Sequence, residues 1–341
     1  MRRVFIPLDV AEPQIPPAHA VSQTLSGKSM GTGWTVQLLV LPHHDAQELQ
    51  AGIEAELNRV VMQMSTWDPT SHLCEFNHTP VHSWQSLPPE FFKLVDYSLY
   101  LSQQTAGAYD ITAGKLVDLW GFGPSGKHDS APTETDIRTA LQAGNWKSLE
   151  LDHVNQRLRQ TGASSIALDL SSIAKGFALD QIARYLDAHK ITSYLIELGG
   201  ELRGLGMKKD QSPWWVRIES PADGSHDTTH EKLDKEYLVA LHGLSIATSG
   251  DYRQYFEQDG RRYAHTLDPR TGYPVGNDLA SVTVLHPECM VADAMATALT
   301  VLGCAAGLAY ADQHQIAALF LQRSAAGFEE KMSKALRAML D

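Results

Sequence analysis

Strand-like and helix-like segments interleave along this chain without the regular β-α-β alternation of a doubly wound sheet. That irregular mixing favours an α+β fold over a parallel α/β one. Residues 26–41 read as a turn and then a strand (Thr35, Val36, Leu38, Val40), 194–206 as strand, Gly turn and strand, and further strands are expected around 148–152, 165–170, 214–221, 236–250, 279–286 and 316–322. Apolar residues recur at helical spacing through 45–64, where Ile53, Leu57, Val60, Val61 and Met64 share a stripe and Asp45 is placed to cap it. Helices are also expected over 88–106, over 133–144 after Thr133, over 173–189, and in a closing segment from Phe328. Residues 65–77 read as an irregular loop, and 222–236 as a polar surface loop.

At 341 residues, 43% of them hydrophobic, the chain can bury a sizeable core. Twenty-eight basic against forty acidic residues leave a formal net charge of −12. No basic run exceeds a pair, which argues against nucleic-acid or anionic-membrane binding. The three cysteines, Cys74, Cys289 and Cys304, are widely spaced and read as buried thiols, not as a disulfide frame or a zinc site. The uncharged stretch from Ala294 to Ala311 is long enough to span a bilayer, but it is rich in Ala and Gly and is divided at Gly303, so two buried helices are expected there. Residues 1–25 read as a Pro-rich flexible tail, with one domain over 26–341. Arg2-Arg3 precedes no apolar stretch of signal-peptide length. The expected location is the cytoplasm, or the periplasm if the start codon lies upstream of Met1.

Familiar nucleotide motifs fail. Gly27-Lys28-Ser29 lacks the leading glycine and the following helix of a P-loop. The run 199–204 is not a dinucleotide fingerprint, since a strand follows it. His43-His44-Asp45 reads as a solvated helix start.

Five segments hold polar residues that packing alone does not explain. Asp293 and Thr297 stand four apart on one helix face, and both are hard oxygen donors suited to Mg²⁺. The alternative makes Asp293 a mere N-cap and Thr297 a mere helix residue. Asp169 to Phe177 reads as a strand entering a small-residue turn and a helix start, with Lys175 as a point charge for anions, or as a plain surface lysine. His265, before the Asp268-Pro269-Arg270-Thr271-Gly272 turn, is a candidate general base or a structural histidine. Ala108-Tyr109-Asp110 near Trp120, and Met30 with Trp67 and Asn77, could sandwich a flat heterocycle or simply pack.

In order, the segments MGTG, MSTW…FN, GAYDIT, DLSSIAKGFALD, ELGGELRGLG, ATSGDYR, YAHTLDPRTGYP and SVTV…ADAMATAL resemble the ApbE family of FAD:protein FMN transferases. The resemblance runs over roughly residues 26–338. It implies a two-lobed mixed α/β domain with an FAD cleft between the lobes. It also implies a Mg²⁺-dependent enzyme that cleaves FAD, attaches FMN by a phosphoester bond to a Thr or Ser of an acceptor flavoprotein, and releases AMP. The acceptor would be a redox subunit or a flavin reductase. By the same resemblance the metal ligands are Asp293, Thr297 and the carbonyl of Ala174. FAD contacts fall to Met30, Trp67, Ala108, Tyr109, Asp110, Ser171, Lys175, Phe177 and Leu267, and His265 is the catalytic candidate. Ala296 stands where some relatives carry a further acidic ligand. Two alternatives share the site: a Mg²⁺-dependent FAD pyrophosphatase yielding FMN and AMP, and a non-catalytic FAD-binding protein.

Overall fold

The computed structural model describes the chain except residues 1, 9, 129, 220, 222–235, 252–254, 259–260 and 325–326. The expected loop over 222–236 and the Tyr252-Arg253 part of one motif therefore fall almost wholly outside the described residues. The first elements are β1 (Arg2–Phe5), β2 (Val21–Ser29), β3 (Thr32–Val40), α1 (Ala46–Met64), α2 (His72–Asn77), β4 (Gln85–Ser86), α3 (Pro89–Gln104), α4 (Gly114–Leu119) and α5 (Glu134–Ala143). Then come β5 (Leu149–Asp152), β6 (Arg157–Gln160), α6 (Ala174–Ala188), β7 (Tyr194–Leu198), β8 (Glu201–Leu205), β9 (Trp215–Arg217), β10 (Glu236–Ala240) and β11 (Leu244–Gly250). The chain closes with β12 (Tyr255–Gln258), β13 (Arg261–Ala264), β14 (Leu267–Asp268), β15 (Tyr273–Pro274), β16 (Leu279–His286), α7 (Cys289–Gln313), β17 (Ala317–Ser324), β18 (Gly327–Met332) and α8 (Lys334–Ala338). The α+β expectation holds.

The chain divides into two compact units. The first comprises Met1–Asn58, Lys175–Tyr252 and Asp278–Asp341. Its eight-stranded sheet has the order β18-β17-β16-β11-β8-β7-β3-β2, and every neighbouring pair is antiparallel. Helix α7 packs on β11 and β16. A small sheet, β1-β10-β9, adds Phe5, Val216, Tyr237 and Val239 to a core shared with Ile246, Leu285, Leu319 and Leu336. The second unit comprises Arg59–Ala174 and Arg253–Asn277. It holds α2–α5, a β4-β6-β5 sheet and two short hairpins, β12-β13 and β14-β15. Leu116, Trp120, Ile137 and Leu267 form its smaller core, tied by a Trp120 Nε1–H bond to the Gly272 carbonyl (2.8 Å).

Several expectations need correction. The tail reading fails at both ends of 1–25. Arg2–Phe5 pairs in parallel with β10, with Phe5 fully buried, and Val21–Leu25 lies in a hairpin with β3. The Pro-rich stretch between forms no regular strand or helix among its described residues. The hairpin turns at Met30 and Gly31, both at positive φ (50° and 73°), as a tight two-residue turn between twisted strands requires. Residues 165–170 are not a strand; the partner of β5 is Arg157–Gln160, and only an isolated bridge joins Ala167 to Ala113. The loop at 65–77 contains α2, whose Ser71 hydroxyl accepts the Cys74 amide N–H (3.1 Å). The closing segment from Phe328 is not one helix. Gly327 (φ 104°) begins β18, which pairs with β17, and α8 follows after the Ser333 cap.

The apolar segment divides where expected: Gly303 sits at φ 78°, ψ 171°, outside helical space. By length and composition α7 could cross a membrane, yet 61% of its most apolar window is buried within the fold. Cys74 and Cys289 are buried thiols, and Cys304 is half-buried.

Candidate active site

In the first unit the chemistry gathers where α6 begins and α7 makes its first turns. Helix α7 has Glu288 at its N-cap, so Asp293 lies more than a turn inside the helix, and the N-cap alternative is excluded. The Asp293 side chain is buried, and its Oδ2 accepts the Gly176 N–H (2.9 Å). Burial raises its pKa to about 7, against the pull of the Lys175 charge and with a further push from Glu201. Thr297 is half-buried on the next turn of the same face.

Lys175 is not a plain surface lysine. Its ammonium bonds Glu201 Oε1 at 2.6 Å. Glu201 is 2% exposed, and its second oxygen, Oε2, is buried without a hydrogen-bond partner. Two buried carboxylates thus face one ammonium. The surplus negative charge and the orphaned oxygen suit a divalent cation with hard oxygen ligands, since buried charge needs a counter-charge. Ala174, the first residue of α6, is buried. Phe177 has no exposed surface and carries the Arg184 guanidinium over its ring (5.7 Å), so the structure shows it as core, not as an open ligand contact.

In the second unit three of the singled-out segments are stitched side by side. The Asn77 side chain makes two bonds to the Leu168 backbone, donating to its carbonyl (3.1 Å) and accepting its N–H (2.8 Å). The Asp169 N–H donates to the Ile111 carbonyl (2.8 Å), and the Gly114 N–H to the Ala167 carbonyl (3.0 Å). The Tyr109 hydroxyl oxygen accepts from Ser172 Oγ (3.1 Å). Asp110 Oδ1 takes the Thr112 N–H (2.8 Å) and hydroxyl (2.7 Å), and Oδ2 takes the Trp146 N–H (3.3 Å). Asp169 likewise holds the Ser171 N–H (2.8 Å) and hydroxyl. Burial raises both carboxyl groups above their ordinary range. These acids shape loops, and the hydrogen bonds of Asp110 already engage both its oxygens.

The other singled-out residues divide by exposure. Trp67 is 65% exposed, which rules out core packing and leaves an aromatic face open. Ala108, Tyr109 and Leu267 are buried, whereas Ser171 is exposed and Met30 half-buried at its hairpin turn. The half-buried His265 ring stands edge-on to Phe122, with 6.2 Å between centroids. The turn after it is braced by a two-pronged Arg270–Asp268 pair, both contacts at 2.8 Å.

Sequence reasoning passed over Glu201, Asp180 and Arg203. Asp180 accepts from Arg203 (2.8 Å) and from the N–H groups of Cys289 (2.9 Å) and Met290 (3.0 Å). The only signal for it was its place one turn after Gly176 on α6. The only signal for Glu201 is that it follows a Gly-Gly turn.

The chain matches the ApbE family over residues 30–320. It is 36% identical over 319 residues to a FAD:protein FMN transferase of Vibrio cholerae, covering 93% of this chain and 92% of that one. For a FAD:protein FMN transferase of Haemophilus influenzae the identity is 37% over 322 residues, with 93% and 91% covered. Among solved structures, it is similar to the apo form of the Pseudomonas stutzeri flavinyl transferase ApbE, with a TM-score of 0.84, 38% identity, and 94% and 97% covered. The flavin transferase ApbE from Vibrio cholerae gives a TM-score of 0.85 at 35% identity, with 94% and 100% covered.

Proposed function

The chain belongs to the ApbE family, and from that premise we propose that it is a FAD:protein FMN transferase dependent on Mg²⁺. It takes FAD as substrate, breaks the pyrophosphate P–O bond, forms a phosphoester bond from FMN to a Thr or Ser hydroxyl of an acceptor flavoprotein, and releases AMP. The observation that carries the metal-dependent reading is the buried Asp293 carboxylate one turn before Thr297, beside an orphaned oxygen of Glu201.

Asp293, Thr297 and the Ala174 carbonyl would hold the magnesium ion, which supplies charge neutralisation at the pyrophosphate. The protein's own work is positioning and electrostatics. Lys175, fixed by Glu201, offers a point charge to phosphate oxygens. Trp67 offers an exposed aromatic face for a flat ring. His265 accepts the proton of the acceptor hydroxyl as it attacks phosphorus, and the resulting imidazolium then gives that proton up to solvent.

The test is one incubation of purified protein with FAD, Mg²⁺ and an acceptor domain bearing a flavinylation threonine. Acceptor mass and AMP are followed. A gain of one FMN with AMP formation is expected. AMP and free FMN without labelled acceptor would replace this reading with the pyrophosphatase, and intact FAD with the binding protein. Asp293→Ala is expected to abolish Mg²⁺-dependent transfer. His265→Ala is expected to lose about 10²–10⁴-fold in rate while still binding FAD; near-normal transfer would remove His265 from the chemistry.

A further inference from the structure

The first turn of a helix presents N–H groups that have no partner within the helix. In α7 the N-cap side chain of Glu288 does not bond them. A carboxylate from another helix does. Asp180 Oδ1 accepts the Cys289 N–H (2.9 Å) and Oδ2 the Met290 N–H (3.0 Å). The carboxylate is 3% exposed and is held from behind by Arg203 Nη1 (2.8 Å). Arg203, on β8, also donates to the Pro287 carbonyl just before α7 and to Ser245 Oγ (3.3 Å) on β11.

The second tie between the helices is the Gly176 N–H bond to Asp293 (2.9 Å). Gly176 and Asp180 are four apart on α6; Cys289 and Asp293 are four apart on α7. Position 176 meets 293 and position 180 meets 289, so the two helices run antiparallel with rungs one turn apart. The approach is close: a Cβ at Gly176 would lie 2.4 Å from the Cys289 carbonyl oxygen and 2.8 Å from Asp293 Cβ. At this distance a slide of α7 by even a fraction of a turn breaks both rungs.

We infer that Asp180, gripped by Arg203, is a positioning residue: by capping the first turn of α7 it sets the register of α7 against α6, and so the place of the Asp293 carboxylate. This rests on the reading of Asp293 as a metal ligand. An outer carboxylate that orients a ligand typically changes metal affinity about 10- to 100-fold when removed.

The test uses Mn²⁺ as a spectroscopic probe on the full chain without FAD, with Mn²⁺ affinity read by electron paramagnetic resonance. Amide exchange across 287–299 and FAD affinity without metal are measured on the same samples. Asp180→Asn is expected to weaken Mn²⁺ binding at least 10-fold and to speed exchange in the first turn of α7, with metal-free FAD affinity within two-fold of the parent. Arg203→Lys, which keeps the charge and loses the guanidinium, is expected to fall between; it serves as the test if Asp180→Asn does not fold. Faster exchange with unchanged Mn²⁺ affinity would make Asp180 a stabilising cap only and overturn the inference. So would an equal loss of metal-free FAD binding. Asp293→Asn is the control: unchanged Mn²⁺ binding there would overturn the metal-site reading itself, a failure distinct from that of Asp180.

Discussion

Asp293 keeps a carboxyl group largely out of water. Its ordinary pKa of 3.8 is raised to about 7, mainly by burial. The folded chain therefore binds this proton more tightly than the unfolded chain does. Between those two values the group's contribution to stability falls as pH rises, and above about 7 it is flat. In metal-free protein, urea unfolding from pH 4 to 8 is expected to show a less negative slope in Asp293→Asn than in the parent through that window. An identical slope would mean that the carboxyl titrates normally in the fold. Divalent metal needs the ionised carboxylate, so it favours the charged form that burial opposes. The same residue shows how far a spacing rule reaches. The i, i+4 relation to Thr297 and the charge of Lys175 are legible in the chain; the Lys175–Glu201 pairing and the orphaned Glu201 oxygen are not.

At the scale of elements, local pattern sufficed for long periodic segments and failed for short ones. Helices α1, α3, α5 and α6 fall where apolar spacing and caps place them. Thr133 caps α5, accepting the Asp136 N–H, as read from its position. Six residues of α2 are too few to display a period, and its helix stands because Ser71 caps it and Leu73, Cys74 and Phe76 are buried. The end of the chain misled for another reason. Phe328 to Met332 fits either a helix or a strand, and the neighbouring strand β17 decides in favour of the strand. Gly303 is the element-scale feature that the sequence signalled best. Its φ of 78° and ψ of 171° suit glycine almost alone. Gly303→Ala is expected to cost about 1–3 kcal/mol, read as a lower urea midpoint with an unchanged slope. A midpoint equal to the parent's would show that α7 can run straight through this position.

For the whole molecule, the two ends of the chain are part of one core within the first unit. The Ile6 N–H donates to the Met339 carbonyl (2.8 Å), and the Asp341 N–H to the Val4 carbonyl (3.1 Å). Phe5 bridges to Leu340 and has no exposed surface. Arg3 pairs with Glu330, which also accepts from the Tyr237 hydroxyl. Phe5→Ala is expected to destabilise the protein by about 3–5 kcal/mol, the range for emptying a buried aromatic site. Urea unfolding measures it, and a loss under about 0.5 kcal/mol, the scale of ordinary surface changes, would mean that β1 contributes no packing.

Fold class, most of the long helices, the break at Gly303 and the ordered motifs that mark the family are all readable along the chain. These are local or cumulative signals: a helix period, a cap, a glycine with no alternative, a string of short segments in order. Which charges meet is settled by packing between distant elements. Glu201 reaches Lys175 from a strand 26 positions away, and Asp180 caps a helix that begins 109 positions later. Periodicity says which residues share a face, but it does not say what that face will meet. The partners of buried charges are set by desolvation, which acts only once distant elements have packed.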